Sequence, residues 1–300
     1  MKQVLSLQST EYVLLHQSFK EWLTLLNYSG SSIDALPRHI REFLYYQEQT
    51  GKFCLQQLQA SDAESFILWL QSKTGVRTHR PFSNSHINKY IQALQLFNRY
   101  LRDSGRIEIG FTLQFLAANT SYPNWLTMQE TQQLYEATED SLLGMRDRAM
   151  LSVFYGCGLR LSEGNDLHVK DVIRTRKMIH VKRSKNNRQR YVPIARKNLQ
   201  SIMDYIDLAR PELLNGYKSE ALFIGAGKGC AMHKQSLYVR VKLLAKRSGI
   251  KKKMGTHTLR HSIATHLLQS GMKLEQIKDF LGHSSLDSTQ IYTHLVNQTL

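Results

Sequence analysis

Thr256-His257-Thr258-Leu259-Arg260, then Leu281-Gly282-His283, then Ser288-Thr289-Gln290-Ile291-Tyr292-Thr293-His294: the rest of the chain is read outward from these three segments. The first opens a helix. Thr256 is placed to cap it, and Leu259, Ile263 and Leu267 fall on one buried stripe. His257 and Arg260, three residues apart, share a face in the first helical turn, where the helix dipole favours an anion. An Arg, a His and a helix N-terminus together suit a phosphate. The plainer reading is an Arg in a salt bridge and a His in a polar niche. His257 and His261 stand four apart, as helical zinc pairs do, with His266 close behind. No Glu follows His257 as a metalloprotease motif requires, and no metal site is expected.

The second segment ends a helix that starts near Leu274 and buries Ile277, Phe280 and Leu281. Gly282 is its stop, and His283 projects from the corner, as a phosphate donor or simply as a surface histidine. Tyr292 follows nine residues on. With 14 tyrosines in the chain, any one is more often core or surface than nucleophile. A phenol, with its pKa of about 10, attacks poorly at neutral pH unless cations and a proton acceptor surround it. Here the neighbouring segments supply both.

Upstream, Gly156-Cys157-Gly158-Leu159-Arg160-Leu161-Ser162-Glu163 places an Arg just after two glycines. The glycines permit a tight bend, so Arg160 is held at a helix start, and Glu163 can orient it through a charge-assisted pair. Read alone, the octapeptide also fits a buried structural ion pair. Between these regions, Met178–Lys182 and Gln189–Ile194 are short β-prone runs joined by the polar turn Arg183-Ser184-Lys185-Asn186-Asn187-Arg188, which predicts a hairpin. Residues 170–197 hold eleven Lys or Arg and one acid, Asp171. Lys182, Arg183, Arg188 and Arg190 read as DNA contacts, and Lys185 at the tip can reach further.

The first hundred residues read as helices. Leu14, Leu15, Phe19, Trp22, Leu25 and Leu26 suggest one buried face; Ser32 is set to cap a second helix bearing Leu36, Ile40, Phe43 and Leu44. Ser61 with Glu64 forms a capping box ahead of Phe66, Ile67 and Leu70. A fourth helix starts at Ser83 or Ser85, carries Ile87, Ile91, Leu94, Phe97 and Leu101, and stops at Gly105. The polar, proline-containing run near Ala117–Asn124 marks a linker, dividing the chain into residues 1–118, a linker 119–124 and residues 125–300. Thr127 with Glu130 is another capping box, and Asp147–Tyr155 a buried helix. Mainly α structure with a small antiparallel sheet is the expected fold class.

Three hundred residues with 40 basic and 24 acidic side chains carry a net charge of +16, which attracts polyanions, nucleic acid before any anionic membrane. Residues 1–118 contribute 12 basic and 9 acidic side chains; residues 119–300 contribute 28 and 15, and so most of the field. No stretch reaches the roughly 18 apolar residues of a membrane span. Neither a signal peptide nor a disulfide framework is expected: Cys54, Cys157 and Cys230 are scattered, as in a reducing cytoplasm.

The ordered set Gly-Leu-Arg-x-Ser-Glu, hairpin Lys, His-x-Leu-Arg, Leu-Gly-His and Tyr resembles the tyrosine recombinase (phage integrase) family, most of all its Xer-type and integrase-like bacterial members. The resemblance runs from about Trp125 to Tyr292 and, more loosely, over the N-terminal helices. It implies a helical core-binding (SAM-like) domain followed by an α+β catalytic domain. It also implies a DNA strand transferase that needs neither metal nor ATP nor another cofactor, acting as a homo- or heterotetramer on two double-stranded sites.

Carried onto this sequence, Arg160 and Arg260 clamp the scissile phosphate, and Glu163 supports the first of them. Lys185 protonates the leaving 5′-hydroxyl, with Lys182 as a fallback because the usual Gly-Lys-Gly is here Arg183-Ser184-Lys185-Asn186. His257 helps accept the tyrosine proton, His283 donates to a phosphate oxygen, and Tyr292 attacks to form a 3′-phosphotyrosine. Two other readings stand beside recombination through a Holliday junction: a type IB topoisomerase-like enzyme, and a non-catalytic DNA-binding protein of the same fold. His257 favours the recombinase, because such topoisomerases tend to carry lysine at that place.

Overall fold

The computed structural model describes residues 5–75, 79–106, 109–117, 124–182, 189–226, 229–283 and 289. Lys185, Arg183, Arg188, Tyr292 and the helix expected from Ser285 lie outside them. The chain divides into two compact units, Met1–Ser121 and Tyr122–Leu300.

The first unit is built from helices α1 (Thr10–Leu25), α2 (Gly30–Gln49), α3 (Ala60–Ser72) and α4 (Asn84–Asp103). Its centre is aromatic: Phe19, Phe43, Phe66 and Phe97 are fully buried. Phe19 meets Phe97 edge-on at 5.4 Å and Phe43 meets Phe66 at 5.3 Å, geometries the ring quadrupole favours over face-to-face stacking. The predicted stripes of α2, α3 and α4 are buried as expected.

Helix α1 is phased differently. Tyr12, Leu15, Phe19 and Leu23 face inward, while Leu14, Leu25 and Leu26 are exposed. So many apolar residues crowd this helix that spacing alone admits more than one inward face, and packing against α2 and α4 selects the one with the two aromatic rings. Two caps also move. Ser29, not Ser32, caps α2, its hydroxyl accepting from the Ser32 amide at 3.3 Å. Helix α3 starts before Ser61, and Asp62 accepts from the Gln59 amide at 2.8 Å.

The second unit carries α5 (Met128–Glu136) and α6 (Leu142–Leu151), which runs on into a π turn at Ser152–Gly156. A short α7 (Leu161–Asn165) leads to an antiparallel sheet of β1 (Val172–Ile173), β2 (Met178–Val181) and β3 (Arg190–Pro193) in that spatial order. The predicted hairpin is β2–β3, with Val181 opposite Arg190; β1 was not foreseen. Helices α8 (Arg196–Asp204), α9 (Arg210–Leu214), α10 (Lys234–Arg247), α11 (Thr256–Gln269) and α12 (Leu274–Leu281) complete it.

Helix α6 and the π turn form the centre, with Ala149, Met150, Leu151, Val153 and Phe154 fully buried and α8 and α11 packed alongside. Thr127 and Glu130 make the predicted capping box, at 3.1 and 2.7 Å. Gly255, not Thr256, precedes the first turn of α11, and Ile263, Leu267 and Phe280 are only half-buried. Polar Ser262 and Thr265 take buried positions instead: Ser262 bridges the Thr258 carbonyl and the Leu126 amide, tying α11 to the start of α5. Among the described residues no helix is long and apolar enough to cross a membrane.

Candidate functional site

The π turn delivers the chain into Gly158, whose φ of +60° is a conformation that costs a side-chain-bearing residue energy. Arg160 follows as the residue that starts α7. Its own amide donates to Glu163 Oε2 at 2.9 Å, and its Nη1 donates to Glu163 Oε1 at 2.8 Å. A five-residue helix thus carries an arginine and the carboxylate that orients it. The Glu163 side chain is only 1% exposed.

Arg260 comes from the first turn of α11 and is 4% exposed. It donates through Nη1 to the Gly158 carbonyl at 2.6 Å and through Nη2 to the Leu281 carbonyl at 2.7 Å. Its Nη1 also lies 3.9 Å from Glu163 Oε2, so the two motif arginines share one counter-ion. Arg160 keeps 22% of its side chain open to solvent and donates through Nη2 to the Gly282 carbonyl at 3.1 Å. Among the described residues its Nε makes no hydrogen bond.

A third arginine joins them. Arg190, expected to face DNA from the hairpin, is instead 11% exposed and turned inward. It grips Glu163 with both Nη atoms, at 3.0 and 2.9 Å, and its Nε points at the Phe280 carbonyl at 3.4 Å. The expectation counted charge along a basic segment and had no view of which strand face each residue occupies. Phe280, Leu281 and Gly282 therefore give their successive carbonyls to Arg190, Arg260 and Arg160. These are unpaired groups at the end of α12, where the helix dipole is negative and cations are held best.

Glu163 is ionised at any ordinary pH. Burial would raise its pKa, but the Arg190 hydrogen bonds and charge, followed by the bonds from Arg160, hold it down at about 2. Three guanidiniums around one carboxylate leave a local charge of +2. His283 sits just beyond Gly282, the left-handed residue that ends α12, and its Nδ1 lies 3.0 Å from the Thr289 hydroxyl. Burial, then the charges of Arg260, Arg160, His261 and Arg190, push its pKa down to about 4. His261 is likewise lowered to about 4 by burial, His257 and Arg260. His257, at the solvent-facing start of α11, is lowered by desolvation and by Arg260, Arg160 and Lys234.

The structure brings Arg160, Arg260, Glu163, His257 and His283 into one electrostatic neighbourhood. Lys182 is held elsewhere, paired at 2.5 Å with the buried Asp171. That carboxylate also accepts from the His168 amide at 2.9 Å. Among the described residues no group of three or more His, Cys, Asp or Glu could hold a metal ion.

Residues 124–299 match the model of the phage integrase family. A tyrosine recombinase XerD of Pseudomonas putida is 36% identical over 215 residues, covering 71% of this chain and 72% of the relative. Another XerD, of Corynebacterium glutamicum, is 29% identical over 94% of both chains. Among solved structures, the XerH site-specific recombinase bound to its palindromic difH substrate superposes with a TM-score of 0.75. That match spans 97% of this chain and 83% of the other at 22% identity. A lambda integrase dimer on a COC' core site gives 0.68, covering 93% and 94%, at 14% identity.

Proposed function

The chain belongs to the phage integrase family as a tyrosine recombinase, and we propose that it cuts and rejoins double-stranded DNA at specific sites through a 3′-phosphotyrosine on Tyr292. The observation that carries this reading is the convergence of Arg160 and Arg260 on Glu163 beside His283. Attack on a phosphodiester adds negative charge to the non-bridging oxygens in the transition state. Fixed guanidiniums in a pocket of net positive charge stabilise that added charge without reorganising.

Arg160, the more open of the two, offers its Nε edge to the phosphate; Arg260, more deeply held, completes the clamp. His283 donates to a non-bridging oxygen once the phosphate has offset its cationic neighbours. His257 receives the Tyr292 proton as the phenolate oxygen bonds to phosphorus. The bond to the 5′-oxygen breaks, and Lys185 supplies that oxygen's proton. The phosphotyrosine keeps the phosphodiester energy, so a 5′-hydroxyl from a partner strand reverses the step without a nucleotide cofactor.

Strand exchange then proceeds through a Holliday junction between two sites, with four subunits, identical or paired with a related protein. Residues 1–118 serve as the core-binding DNA-binding domain, residues 119–124 as linker and 125–300 as catalytic domain. The enzyme works in the cytoplasm, where its DNA lies.

The test is covalent trapping. The protein is incubated with a nicked suicide duplex carrying its site, denatured, and compared with Tyr292→Phe on a gel. A shifted wild-type band absent from the variant is expected. A band that survives in Tyr292→Phe removes the assigned nucleophile. No band from wild type on a duplex it binds removes the enzymatic reading in favour of a binding protein.

A further inference from the structure

Arg190 stands apart from the groups given a chemical role, yet its side chain makes two hydrogen bonds to Glu163 where that of Arg160 makes one. Its two Nη atoms occupy both carboxylate oxygens, leaving Arg160 a single lateral side-chain bond to Oε1. Without the Arg190 bonds, Arg160 could swing into the bidentate pairing that guanidinium and carboxylate prefer, drawing its open Nε edge onto Glu163. Arg190 is also the first residue of β3, directly opposite Val181 at the end of β2. It is therefore where the hairpin is joined to the arginine cluster.

The end of α12 is shaped around the same side chain. A Cβ built at Gly282 would stand 2.9 Å from Cδ, Nε and Cζ of Arg190. Gly282 thus does more than end a helix in the left-handed region. Its bare Cα leaves the groove through which Arg190 reaches Glu163, one residue before His283.

We propose that Arg190 is a positioning residue for strand cleavage. It occupies both Glu163 oxygens so that the Nε edge of Arg160 stays turned to the phosphate, and it fixes the base of the lysine-bearing hairpin against the pocket. The proposal rests on the recombinase reading above. Nothing in it requires Arg190 to touch DNA.

The experiment separates binding from chemistry. Arg190→Gln, Arg190→Lys, Glu163→Gln and Arg190→Gln with Glu163→Gln are assayed for duplex affinity against salt, and for single-turnover adduct formation at saturating protein. Thermal melts accompany each, and the lysine variant keeps a cation in the buried position should the glutamine variant fail to fold. The expected result is affinity and salt slope within about twofold of wild type, with cleavage down roughly 100-fold. Lysine, which cannot grip both oxygens, stays at least about tenfold slow. The double variant is no slower than its slower parent, because both changes break one link.

Wild-type cleavage by a folded Arg190→Gln overturns the proposal. So does a salt slope reduced by about one with an unchanged single-turnover rate, the mark of an ordinary phosphate contact. Multiplicative losses in the double variant overturn it too, since Arg190 would then act independently of Glu163. Absence of an adduct from wild type overturns the recombinase reading itself and takes the positioning role with it.

Discussion

Where Met1–Ser121 fills its centre with Phe19, Phe43, Phe66 and Phe97, Tyr122–Leu300 places Arg146, Asp147, Glu163, Asp171, Arg210 and Arg260 out of water. Glu48 is the one charged side chain buried among the described residues of the first unit, and it accepts from the Gln8 and Ser9 amides ahead of α1. Aromatic packing is non-directional enough to tolerate small shifts and gives stability directly. Buried ions do the reverse: removing them from water is costly, and they stabilise little unless every partner is in place. The second unit carries that cost where it gathers fixed charge around Glu163, and the described residues of the first unit form no such cluster. Both units have an apolar core, and the second adds buried charge to it.

The contrast can be broken by substitution. Glu163→Ala leaves three guanidiniums, that of Arg260 buried, without their carboxylate, so cleavage should fall about 100- to 1000-fold and the unit should lose about 3–5 kcal/mol. Adduct formation and denaturant melts read the two effects; a stable, active variant would mean the cluster is not organised by its anion. Phe66→Ala in the first unit should cost about 3–5 kcal/mol through the cavity it opens. Single-turnover cleavage at saturating protein should barely move under conditions where the variant is folded. A large loss of chemistry there would erase the division between the halves.

Acid sharpens the comparison. His16 and His39 in the first unit, and His261 and His283 in the second, have pKa values of about 4 instead of about 6.5. They are neutral when folded at pH 7, so their contribution is complete above pH 6.5 and drains away as pH falls towards 4. Glu163, lowered from 4.5 to about 2, adds a second loss between pH 4.5 and 2, confined to the second unit. Hydrogen exchange followed amide by amide from pH 7 to 3 should show both units weakening first, then the second falling behind. Earlier release of the first unit below pH 4.5 would contradict this. The smallest effect expected is Ser29→Ala, which removes the cap of α2 and should cost about 1 kcal/mol in a urea melt.

Much of this was readable in the residues because each motif is local. Gly158 before Arg160, Glu163 one turn on, and Gly282 before His283 are encoded within a few positions of each other, and the structure keeps them so. The hairpin was readable from two β-prone runs joined by a polar turn, whereas β1, only two residues long, is too short to stand out. What spacing could not show is tertiary. The inward turn of Arg190 depends on α12 ending beside β3, 90 residues later in sequence. The buried pairing of Asp147 with Arg240, at 2.6 Å, likewise joins two helices that no local pattern relates. The face of α1 was ambiguous for the opposite reason: Val13, Leu14, Leu25 and Leu26 supply more apolar residues than one stripe can bury.

Asp171 holding Lys182, and Glu163 holding Arg190, sit at the two feet of one hairpin. Each foot, next to the strand pair Val181–Arg190, is fastened by a carboxylate that is almost wholly out of water. The connection between them can be lengthened on either side of Lys185 at little entropic cost, since loop closure depends only weakly on length. Grafting connections that keep Lys185 onto these two posts is therefore a way to change how far that lysine reaches while the arginine cluster behind them stays as it is.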